Sequence, residues 1–262
     1  MKTHLTLDPL VWTVNRLSQW SWHQLMQLAK VGFSRWIFAP LPWPAAVIHL
    51  YAVSRNLAWA FSLVLVLGLL LRSMWPALAL PGGSTPVALV FERLVTAAVL
   101  SLAGLWAMQT LVTINNAVME TLVRNAASFQ PAMAPHGVLS PLVVLIVTLA
   151  LIALIIYLAV FYAIRAIELY LLTAAIPWFA LWWVSRRDGG VLENLGRELV
   201  VVIFIQSFHA AAFWLATRLL GMGGLGTAGL FMELALFWYM TKLPGQFRRL
   251  VGAGLGVGRL WQ

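Results

Sequence analysis

The residues of this chain that could do chemistry are few, and their spacing assembles no reaction centre. Five histidines, His4, His23, His49, His136 and His209, are scattered, and no two stand at a metal-ligand spacing. There is no cysteine, which excludes disulfides and thiolate metal sites. No Gly-Lys-Ser/Thr phosphate loop exists, so the chain cannot drive transport with ATP by itself. No serine stands in a G-x-S-x-G elbow. The tail Gly252-Ala253-Gly254-Leu255-Gly256 lacks the spacing, the preceding strand and the downstream acidic residue of a dinucleotide loop. No enzyme, cofactor or metal is expected.

What remains is a small set of ionisable residues inside apolar stretches. A charge at the centre of a membrane helix costs roughly 2.5–3.5 kcal/mol on insertion scales, so it turns toward protein or water. Glu233 lies midway along the last apolar segment. Arg165 and Glu168, three residues apart, can meet on one helical face. Glu198, Gln206 and His209 share a face with Val202. Glu233, Arg165, Glu168 and His209 are the candidates for lining a polar path or a seam between subunits. For Gln109, Asn115, Asn116 and Gln206 the favoured role is plain bonding of helix to helix.

The elements that must position these residues are apolar helices. Of the 262 residues 62% are apolar and 10% charged, against roughly 45–50% and about 25% in soluble domains. A hydrocarbon layer about 30 Å thick needs roughly 20 apolar residues per helical crossing. Crossings are expected at 46–71, 91–114, 142–164, 167–184, 199–217 and 228–241. The stretch 167–184, with Pro177 and Trp182-Trp183, either crosses or turns back as a hairpin, which would leave five. Arg186 to Glu198 reads as a charged loop. The expected fold is therefore an all-α, polytopic membrane helical bundle of six, or five, crossings.

An amphipathic helix precedes it. Over residues 8–38, Leu10, Val14, Leu17, Leu25 and Leu28 share one face, with Arg16, His23, Gln27, Lys30 and Ser34 opposite. Trp12, Trp20, Trp22 and Trp36 sit at the boundary, as indoles do in the headgroup zone. The helix is expected to lie in the membrane plane or to pack on a partner. The divisions are 1–39 for this interfacial helix, 40–245 for the transmembrane domain and 246–262 for a basic, glycine-rich cytoplasmic tail. No apolar run follows the first residues directly, so the first crossing is expected to direct insertion in place of a cleaved signal peptide. Six crossings leave only Arg72, Arg93, Arg165 and Arg218 on the far side, which favours both termini in the cytoplasm. The net charge of +9 is thus read first as topological. Arg186, Arg187, Arg248, Arg249 and Arg259 could in addition attract anionic lipid or a nucleic acid strand.

The order of segments carries a resemblance. A short loop runs Gly83-Ser84-Thr85-Pro86 into Phe91-Glu92-Arg93, and the second crossing ends in Asn115-Asn116-Ala117. Arg165-Ala166-Ile167-Glu168-Leu169-Tyr170 then leads to Pro177-Trp178, and a charged stretch precedes Glu198-Leu199-Val200 and Gln206. Over about residues 40–245 this resembles the TrbL-like conjugal-transfer proteins, polytopic inner-membrane components of bacterial type IV secretion systems. It implies a homo-oligomeric ring in membrane lipid at the base of a conjugation machine. Such a ring passes single-stranded DNA or protein and seats the pilus or stalk, with other secretion subunits including separate ATPases as partners. Unlike larger members, this chain has no long soluble loop between crossings. Two rival readings stand beside it. A small-molecule or ion transporter predicts paired broken helices, of which only the one at Pro177 is evident. A non-conducting membrane assembly scaffold needs no more than packed helices.

Overall fold

A computed structural model describes residues 8–74, 87–125, 141–185, 190–221 and 226–254. Every regular element among them is helical: α1 (Asp8–Gly32), α2 (Ala45–Met74), α3 (Val87–Asn125), α4 (Pro141–Ser185), α5 (Gly190–Gly221) and α6 (Gly226–Gly254). A π-helical turn, Phe33–Ile37, finishes α1. Prolines 40, 42 and 44 then stop the helix, since none offers an amide hydrogen. Pro44 restarts it from the other side: its carbonyl accepts the amides of Val47 and Ile48 at 3.0 and 3.4 Å. The Gly83–Pro86 loop, Arg186, Arg187, Gly256 and Arg259 lie outside the described residues.

Four helices, α2 to α5, are long and apolar enough to cross a membrane, fewer than the six or five expected. The difference lies in two places: the expected crossing at 228–241 falls in α6, which is not among the four, and α4 accounts for the other. The stretches 142–164 and 167–184 form one continuous helix of 45 residues, with neither a second crossing nor a hairpin between them. At 1.5 Å per residue α4 is about 67 Å long, twice the hydrocarbon thickness. Two features of the sequence suggested a break, and neither ends the helix. Arg165 is 4% exposed and donates to another helix, so it needs no exit to water. Pro177 removes the amide donor of the Thr173 carbonyl, yet the helix runs on past it, and the neighbouring Ala174 carbonyl accepts the hydroxyl of Ser54. The expected charged loop before α5 is likewise helical from Gly190, with Arg197 donating to Glu193 one turn back at 2.8 Å.

The chain folds as two compact units, and α3, α4 and α5 each give one stretch to each. The first comprises Met1–Pro40, Asn115–Arg165 and Phe204–Gly254. Its core gathers Leu25 and Ala29 of α1, Leu151 and Ile155 of α4, Phe213 of α5 and Phe237 of α6. Gly32 lets α1 approach α4 closely, since a methyl group there would stand 3.2 Å from Ile155. The buried face of α1 is Ser18, Ser21, Leu25 and Ala29, whereas Leu17 of its expected apolar side is exposed. Close packing of helices in lipid favours small residues, which explains that choice of face.

The second unit comprises Leu41–Ile114, Ala166–Ile203 and Leu255–Gln262. Small residues again let backbones meet: Ala97 of α3 packs with Ala180 and Val184 of α4. Tyr51 of α2 donates to the Ser101 carbonyl of α3 at 2.8 Å, beside Gly104. Tyr170 of α4 donates to the carbonyl of Pro42 at 2.6 Å and tilts its ring against Trp43. These bonds tie the proline-rich entry of α2 to α4.

Candidate functional site

The site is a buried polar cluster inside the first unit, and α5 is its spine. Gln206, Ser207 and His209 are 2%, 7% and 0% exposed. Helical spacing aims Gln206 and His209 at neighbouring helices, and each reaches a group that its own helix leaves without a donor.

Gln206 serves the end of α1. Its amide nitrogen donates to the carbonyls of Ile37 and Ala39 at 2.9 and 3.0 Å, where the π-turn and the prolines leave carbonyls without helical donors. Its amide oxygen accepts from Arg165 at 3.0 Å and from Asn115 at 3.3 Å. One side chain thus joins α1, α3, α4 and α5. Ser207 donates to the Asn115 side-chain oxygen at 2.7 Å, which sets the orientation of that amide. The buried guanidinium of Arg165 also lies 5.6 Å from the Tyr162 ring centre, a cation–π distance.

His209 serves α6. A proline at 244 has no amide hydrogen, so the carbonyl four residues back, at Met240, loses its helical donor. The His209 Nε2 stands 2.8 Å from that carbonyl. A carbonyl only accepts, so Nε2 carries the proton, and in the neutral ring Nδ1 accepts the Tyr162 hydroxyl hydrogen. Phe161 closes the ring in edge-on at 6.1 Å. On the preceding residue of α5, Phe208 packs against Phe247 with ring centres 4.2 Å apart. Two consecutive α5 residues therefore hold α6 on either side of Pro244.

Of the four candidates read from sequence, Arg165, His209 and Glu233 fall in this unit, all buried, with Glu233 1% exposed. Glu168 is half-buried and belongs to the second unit. Asn115 and Gln206 take the helix-bonding role expected of them, at the centre of the cluster. Tyr162, Ser207 and the Met240–Pro244 pair went unnoticed in the sequence. Pro244 was the available signal, because any proline inside a helix implies an orphaned carbonyl four residues before it. Among the described residues no three His, Asp or Glu come together as a metal site. Chemically, the arrangement fixes helices to one another through buried amide, guanidinium and imidazole groups. Comparison with known proteins finds no matching family model, curated protein or solved structure.

Proposed function

We propose that this chain is a channel or platform subunit of a conjugative type IV secretion system in a bacterial inner membrane. In this reading several copies form a ring for passage of DNA or protein and for seating a pilus or stalk. The order of segments resembling TrbL-like proteins supports the machine. The observation that carries the oligomer is α4. Its exposed register is apolar throughout, including Leu142, Ile146, Leu149, Ile164, Ile167 and Leu171. Even at a tilt of about 40°, the upper end for membrane helices, a 67 Å helix projects about 50 Å along the bilayer normal. About 20 Å of apolar face then lies beyond the hydrocarbon, and neighbouring subunits would cover it.

Four crossings, like six, return the chain to the side where it began. Counting α4 as one crossing moves Arg186, Arg187 and Arg197 to the far side, yet the near side keeps the larger share of Lys and Arg. Both termini are therefore assigned to the cytoplasm. Separate ATPases would supply energy, and the buried cluster would hold the helices while cargo passes.

The transporter reading predicts paired broken helices, and α4 and α6 instead run continuously through Pro177 and Pro244. Purification in mild detergent from the native host separates the readings. A multi-subunit ring that brings down secretion ATPases, with DNA transfer reduced by Glu233→Ala, supports the secretion reading. A monomer or dimer without such partners sinks it and turns attention to uptake of small solutes.

A further inference from the structure

One surface of the first unit answers to neither the buried cluster nor the four crossings. Helix α6 is not among the apolar crossings, yet it exposes Trp238 and Tyr239, at 57% and 45%. One turn on, the Lys242 ammonium sits 4.9 Å from the Trp238 ring centre. Lys242, Gln246 and Arg249 follow at i, i+4 and i+7 on the same face, all exposed, with Arg248 exposed beside them. The only acidic residue in α6 is Glu233, which is buried. The exposed face is thus aromatic, then cationic, with no negative charge of its own.

That combination has a specific complement. Indole and phenol rings settle at the headgroup level, and Lys and Arg pair with phosphate beside them. We infer that the face of α6 around Trp238, Tyr239, Lys242 and Arg249 docks on the anionic headgroups of the adjoining membrane leaflet. The inference rests on the membrane reading above. Pro244 falls between Lys242 and Arg249, inside the helix that carries both. His209 and Phe208 hold that helix from α5 on either side of Pro244, through Met240 and Phe247. The surface is therefore presented in a fixed pose.

The absence of cysteine makes the test direct. Gln246→Cys, carrying a nitroxide, is placed in nanodiscs of neutral lipid with and without a phosphatidylglycerol fraction, at 0.15 and 1 M salt. Each basic side chain near an anionic surface contributes about fivefold in association. The immobilised, headgroup-depth population should exceed the mobile one at least about tenfold more in anionic than in neutral discs. High salt, which shortens screening to about 3 Å, should erase that preference. The triple change Lys242→Gln, Arg248→Gln and Arg249→Gln should erase it as well. Identical spectra in both lipids and both salts overturn the inference. So does immobilisation that appears only when a single-stranded oligonucleotide is added to neutral discs. A second label at exposed Ile156 of α4 separates this from failure of the membrane reading. It should be accessible to oxygen and shielded from water in every disc, and water access there removes the membrane itself.

Discussion

If His209 replaces the backbone bond that Pro244 removes, the two residues must be energetically coupled although they lie on different helices. His209→Phe keeps an aromatic ring in a fully buried position but deletes the donor 2.8 Å from the Met240 carbonyl. Leaving a buried acceptor without its partner costs about 1–3 kcal/mol. Interhelical bonds in membranes average only about 0.6 kcal/mol, largely because freed groups find other partners. The Met240 carbonyl has no helical substitute while residue 244 is proline. In a Pro244→Ala background it does, because the new amide hydrogen completes the α-helical bond. His209→Phe should therefore cost about 1–2 kcal/mol less in that background than in the native one. Loss of the Tyr162 hydroxyl partner occurs in both backgrounds and cancels from the difference. The four proteins are compared by equilibrium unfolding in mixed micelles of mild detergent and dodecyl sulfate, followed by circular dichroism. Additivity within about 0.5 kcal/mol would refute the assignment of His209 as the surrogate donor.

Gln206→Leu removes four hydrogen bonds at once, from Asn115 and Arg165 and to Ile37 and Ala39. It should destabilise the protein by about 2–4 kcal/mol in the same unfolding assay, since buried carbonyls lose their donor; a change under about 0.5 kcal/mol would mean that the cluster is not a structural junction. Gly104→Ala should cost about 1–3 kcal/mol, because the added methyl would stand 2.8 Å from the Tyr51 hydroxyl and 3.0 Å from Ile176. Gly245→Ala, which meets nothing within 4 Å, should instead be neutral or stabilising by up to about 1 kcal/mol. If thermal unfolding ranks those two glycine variants in the opposite order, the packing described for the second unit is wrong.

Much of this protein is legible from patterning alone, since burial in hydrocarbon requires long apolar helices with their backbone bonds satisfied internally. The helices around 46–71, 91–114 and 199–217 appear near their expected places, and the proline run after residue 39 ends α1 as its chemistry requires. The count of crossings was less legible. A charge and a proline within an apolar run look alike in sequence whether they end a helix or are satisfied by a neighbour. Arg165 is of the second kind, through Gln206, and Pro177 lies inside a helix that continues past it. The buried face of α1 was legible in part. Hydrophobic periodicity selected Leu25 and Leu28, which pack in the core, but also Leu17, which is exposed, whereas close packing added Ser18, Ser21 and Ala29.

For the cluster itself, sequence could nominate buried polar residues because an ionisable group in an apolar helix is costly enough to need a partner. Glu233, Arg165 and His209 were found on that ground, and all three are buried. Partners between residues far apart in the chain, such as Gln206 with Ile37 or His209 with Met240, were decided by tertiary structure. The physical reason is that composition and period determine what a helix must bury. Which neighbour supplies each missing donor depends on helix rotation and offset, and these are set only when side chains of several helices pack at once.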